Sequence, residues 1–80
     1  MKIKLIAFGI AKEIIGPAES NLEVKNPCNI GDLKRILITQ YHEFKKLQSI
    51  KFAINEDYQE DQFQIHEGDE VVIIPPVSGG

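Results

Sequence analysis

Cysteine is nearly absent from this 80-residue sequence: Cys28 stands alone and cannot close an internal disulfide. One cysteine and two distant histidines, His42 and His66, also fall short of a zinc ligand set, so no structural metal is expected. Excess positive charge is missing too. Nine Lys/Arg against twelve Asp/Glu leave a net charge of −3, without the basic surplus that a phosphate backbone demands, and nucleic acid is excluded as a partner. Long apolar runs are lacking: the longest uncharged stretch, Val71 to Gly80, contains two prolines and is half the length a bilayer requires. The charged opening at Lys2 and Lys4 does not suit a signal peptide, so a cytoplasmic protein without a membrane partner is expected. Interdomain linkers and internal repeats are absent. A chain this short buries only about 60–65% of its unfolded surface, which excludes a two-domain enzyme and leaves little room for a self-contained active site.

What is present suits a folded domain held by its core alone: 42% of residues are hydrophobic and 26% charged. Met1 to Phe8 alternates Ile3, Leu5 and Ala7 against Lys2, Lys4 and Ile6, predicting a strand with one buried face. A short helical turn from Gly9 follows, with Ile10, Ile14 and Ile15 on one side, ending at Gly16-Pro17. Asn21 to Lys25 alternates again, which suits a strand antiparallel to the first. Asn29 caps the main helix, roughly Ile30 to Tyr41, whose stripe of Ile30, Leu33, Ile36 and Leu37 packs on a sheet. Phe52-Ala53-Ile54 suits a short internal strand, Asn55-Glu56-Asp57 a turn, and Glu70 to Ile74 an apolar strand stopped by Pro75-Pro76. This order predicts an α+β roll, one helix across a mixed sheet. If the first and last strands lie side by side in the centre, the tail leaves from a rigid element.

The expected division is a domain over 1–74 and an extended tail over 75–80. Pro75 and Pro76 favour extended backbone and donate no hydrogen bonds, so Pro75-Pro76-Val77-Ser78-Gly79-Gly80 reads as a semi-stiff projection of up to about 20 Å. Gly79 and Gly80 lack Cβ atoms and can enter a channel too narrow for side chains. Two successive glycines arise by chance with a probability of only about 0.005. The reactive group would then be the terminal carboxylate of Gly80. Adenylated by an ATP-dependent partner, it becomes an acyl adenylate with AMP as leaving group. Attack by sulfur would leave a thiocarboxylate, an anionic nucleophile at neutral pH.

Gly68-Asp69-Glu70-Val71 followed by Pro75-Pro76-Val77-Ser78-Gly79-Gly80 resembles the ending of the molybdopterin synthase small-subunit (MoaD) family. The resemblance extends through Ala53-Ile54-Asn55, the Ile30-to-Leu37 helix and the Leu5-to-Gly16 opening, covering essentially the whole chain. The sequence has Lys12-Glu13 where that family commonly has Arg-Glu, and Ile73-Ile74 where it has aromatic residues. The resemblance implies a ubiquitin-like β-grasp fold. It also implies an activating enzyme that adenylates Gly80, and a large synthase subunit whose active site receives the tail. There the thiocarboxylate gives sulfur to a cyclic pyranopterin monophosphate, in a complex of two large and two small subunits with no cofactor held stably by this chain. Phe8 aligns with an aromatic position near the partner contact, and with Ile73 and Ile74 of the final strand it forms the expected interface.

Other residues read more plainly. Cys28 lacks an identifiable base and reads as a packed thiol, His42 and His66 as surface residues, and Phe44, Phe52 and Phe63 as core or interface anchors. Seven of the twelve acidic residues follow Lys51 and no Lys or Arg does, giving an acidic C-terminal region. It reads as a solvated face or as a lure for basic partner surfaces. Two further functions stay open: a ubiquitin-like sulfur carrier for thiamin or tRNA thiolation, and a noncovalent binding module.

Overall fold

The alternation at the start of the chain forms strand β1, Lys2–Ala7, with Ile3, Leu5 and Ala7 buried on one face. The computed structural model describes residues 1–47 and 50–75. Strand β7, Glu70–Ile74, lies parallel to β1, pairing Lys4 with Glu70 and Ala7 with Ile73. Strand β2, Glu19–Glu23, runs antiparallel on the other side of β1. It begins two residues before the expected start because the Ala7 N–H already donates to the Ala18 carbonyl, and it ends before Val24, whose N–H donates to Met1. Strand β4, Lys51–Ile54, pairs antiparallel with β7, and β5, Asp57–Gln59, closes the edge, giving the order β2-β1-β7-β4-β5. The first and last strands therefore form the centre of the sheet.

Between them, α1 covers Gly9–Ile15 and α2 Ile30–Gln40. Helix α2 starts where it does because Asn29 and Asp32 form a reciprocal capping box. Asn29 Oδ1 accepts from the Asp32 N–H at 2.7 Å, and Asp32 Oδ2 accepts from the Asn29 N–H at 3.1 Å. Its buried residues Ile30, Leu33 and Leu37 join Ile3, Leu5, Phe52, Val71 and Ile73 of the sheet in one core. This is the α+β roll, a sheet grasping one long helix, and its topology is that of the ubiquitin-like β-grasp fold. The β4–β5 hairpin turns on Asn55 and Glu56, both at positive φ, as a two-residue primed turn requires. The Asn55 side chain ties that turn to the sheet centre, accepting from the Glu70 N–H and donating to Asp69, each at 3.2 Å.

Three features escaped the sequence patterns, the first being β5 itself, which takes Asp57 out of the expected turn because Asp57 pairs with Ile54. Residues Cys28–Asn29 (β3) and Gln64–Ile65 (β6) make a separate two-stranded ladder, and a 3-10 helix over His42–Lys46 tucks Phe44 into the core. The first helix also turns differently from expectation. Ala11 is its buried residue, Ile14 and Ile15 pack partly against the core, and Ile10 stands exposed.

Candidate functional site: the tail root and the outer sheet face

Strand β7 alternates about its axis, so Val71 and Ile73 point into the core while Val72 and Ile74 take the opposite face. Ile73 has no solvent exposure, which corrects the expected partner-facing role for its side chain: it packs on the core with Leu37 and Phe52, and Ile74 alone of that pair is available to a partner. The last rung of the sheet at this end is Lys51 opposite Ile74. Pro75 follows with no N–H to offer, and the ladder ends there. Pro76, Val77, Ser78, Gly79 and Gly80, to which the tail chemistry was assigned, lie outside the described residues.

Phe8 leaves β1 in extended conformation and is 55% exposed. It is not a core residue. The pairing register extends the apolar surface from there, since Ile6 lies beside Val72, Val72 beside Ala53, and Ala53 beside Tyr58. Tyr58 is 66% exposed, and Lys51 Nζ sits 5.9 Å from its ring centroid. Charges mark the β2 side, where Lys4 Nζ meets Glu19 at 3.2 Å. The outer sheet face is thus an apolar band with a polar margin, converging on the strand that carries the tail. The sequence singled out Phe8 and Ile74 of this band but not Ile6, Val72 and Tyr58. Alternation in β1 and β7 carried the signal for the first two. Tyr58 sits in a three-residue strand too short to show a period.

Cys28 is buried and its thiol donates to the Asn29 carbonyl at 3.6 Å. Burial first, and then the nearby Asp32 carboxylate, push its pKa up, against a smaller opposing pull from the N-terminal ammonium. The thiol stays protonated at neutral pH and is a poor nucleophile. It lines a groove of about 530 Å³ that also exposes Lys25, Pro27, Ile36 and Thr39. Two carboxylates line the groove, Glu23 and Asp32, and Asp32 is already engaged by the Asn29 N–H and by Arg35. His42 and His66 are exposed. Among the described residues no three His, Cys, Asp or Glu side chains converge as a metal site, and no helix is long and apolar enough to cross a membrane.

A model of the ThiS family matches residues 5–80, from the middle of β1 to the terminal glycine. The chain belongs to the ThiS family. Among its relatives, the molybdopterin synthase sulfur carrier subunit of Chlamydomonas reinhardtii is 32% identical over 83 residues, covering 100% of both chains. In structure, this ThiS-family chain is similar to a putative molybdopterin converting factor, subunit 1, from Pyrococcus furiosus. The TM-score is 0.87 with 22% identity, over 96% of this chain and 99% of that one. It is also similar, with a TM-score of 0.68 and 21% identity over 100% of both chains, to a chain in the complex of subunits 1 and 2 of molybdopterin-converting factor from Helicobacter pylori. At these identities both structures speak for the fold, and the full-length relative speaks for the family.

Proposed function

We propose that this chain is the sulfur carrier subunit of a molybdopterin synthase, acting in the cytoplasm through the terminal carboxylate of Gly80. The observation that carries the reading is the match along the whole chain to relatives named molybdopterin synthase sulfur carrier subunit, within a family match over residues 5–80 that takes in Gly79 and Gly80. A fold-only likeness would not require that ending. The chain is not an enzyme by itself. An activating enzyme uses ATP to form the acyl adenylate at Gly80 and releases pyrophosphate; a sulfur donor displaces AMP and leaves the thiocarboxylate. The sulfur-loaded tail, Pro75, Pro76, Val77, Ser78, Gly79 and Gly80, then enters the large synthase subunit. There the thiocarboxylate sulfur bonds to a carbon of the cyclic pyranopterin monophosphate as an oxygen on that carbon leaves. Water then cleaves the thioester, which leaves the sulfur on the pterin and restores the Gly80 carboxylate. This chain holds no cofactor stably, and two small and two large subunits make the complex.

The apolar band made by the exposed Phe8 and Tyr58 and the half-buried Ile6, Val72 and Ile74 supports docking of the large subunit on the outer sheet face, because such a band beside the tail is costly in water and is covered on association. The Helicobacter pylori complex of two subunits supports a second chain as the partner.

The test is a single-turnover assay. Incubated with activating enzyme, ATP and a sulfur source, the chain should gain the mass difference between one sulfur and one oxygen at its C-terminal peptide. The product should then convert the pterin precursor only with the large subunit present. Deleting Gly80 should abolish transfer. Undiminished transfer by the shortened chain would refute the mechanism, and a thiocarboxylate that never reaches pterin would move the chain to a thiamin or tRNA thiolation pathway.

A further inference from the structure

Ile10 is 46% exposed on α1 and joins neither the core nor the partly buried side chains packed around it. Its helical neighbour Ile14, one turn on, does pack on that core. The pair therefore forms an apolar ridge that outruns the surface it rests on. Gly9, between Phe8 and Ile10, sits at the root of the tail: a Cβ built there would stand 3.3 Å from the Pro75 ring at Cγ. Two large exposed hydrophobic side chains thus flank, in sequence, the residue whose backbone comes up beside Pro75.

We propose that Ile10 is a second docking anchor for the subunit that receives the tail, gripping the chain at the tail's root from α1 while the outer sheet face supplies the first contact. The inference rests on the carrier reading above. Its argument is reach. Residues 76–80 span at most about 18 Å when fully extended, so a partner whose reacting centre meets Gly80 has that centre within this distance of Pro75. The rim of its receiving pocket then comes up to the root of the tail, beside Gly9 and so next in the chain to Phe8 and Ile10. A partner confined to the sheet face would leave Ile10 in water. Withdrawing a half-exposed isoleucine from water on binding is worth roughly a factor of five in an equilibrium constant.

The experiment compares the full chain with Ile10→Ser and Ile10→Asp, titrated against the purified large subunit, with unfolding midpoints measured in parallel. The first turn of α1 holds no acidic residue, and an aspartate there meets the helix's positive end favourably, so Ile10→Asp should fold at least as well as the parent chain. Ile10→Ser should weaken the dissociation constant about fivefold and Ile10→Asp more than tenfold. The single-turnover rate from preformed thiocarboxylate at saturating large subunit should stay unchanged, which separates an anchor from a residue that orients the reacting end. Unchanged affinity in both variants would overturn the proposal. So would a fall in midpoint that tracks the loss of binding, which would make Ile10 a structural residue. Failure of the parent chain to bind the large subunit would instead refute the carrier reading itself, and it would be seen before any variant is compared.

Discussion

At Cys28 the burial that stabilises the fold also sets the chemistry. Its folded-state pKa is raised, by desolvation first and by Asp32 second, so the native state holds the thiol proton more tightly than the unfolded chain does. The stability this contributes is fully present below the unfolded thiol pKa and is lost as pH rises through the folded value. Denaturant midpoints should therefore fall on the alkaline side for the parent chain and fall less for Cys28→Ala, after allowing for the constant cost of the lost sulfur. Native-state alkylation at neutral pH should be slow and should accelerate on unfolding; rapid labelling of the folded chain would contradict the buried, protonated thiol. At this scale the sequence was legible wherever a long alternation ran. Ile3, Leu5 and Ala7 are buried as the pattern requires. Ile73 and Ile74 could not be told apart by composition, since both are isoleucines and only the strand's parity separates core from surface. Ile10 was misassigned because a seven-residue helix fits several apolar faces, and Ala11, a weak hydrophobic signal, takes the buried position.

Among the elements, α2 was the most legible because cap and stripe agreed. Asn29, recognised as its cap, proves to exchange hydrogen bonds in both directions with Asp32. Asn29→Ala removes the side-chain acceptor for the Asp32 N–H and should cost about 1 kcal/mol. For a domain of this size that is a fall in melting temperature of roughly 4–8 °C. Calorimetry on the two chains checks it, and an unchanged melting temperature would mean that water satisfies the helix end as well as the asparagine does. Short elements were not legible. The β3–β6 ladder has two residues on each side, too few for a period, and its pairing is decided by long-range geometry. The 3-10 helix over His42–Lys46 shows only Phe44 turned inward, one apolar residue among charged ones.

For the whole molecule, topology separates what folds the chain from what the chain delivers. The core among the described residues ends at Ile73, and the last rung of the sheet is at Ile74. A chain ending at Pro75 should therefore keep the unfolding midpoint of the parent while losing all sulfur transfer. A chain ending at Asp69 should behave in the opposite way from a trimmed tail, although it is only six residues shorter than the first. Removing β7 takes out the strand between β1 and β4, so the β2-β1 and β4-β5 pairs lose their only common neighbour in the sheet. Val71 and Ile73, both fully buried, leave with it. Neither remaining pair is stable in water as a two-stranded ribbon, and α2 would have half a sheet to cover. Circular dichroism against denaturant should show a cooperative transition for the chain ending at Pro75 and none for the chain ending at Asp69. A cooperative transition in the shorter chain would show that the central parallel pair is dispensable. A lowered midpoint in the longer one would show that the tail contributes to the fold as well as to transfer.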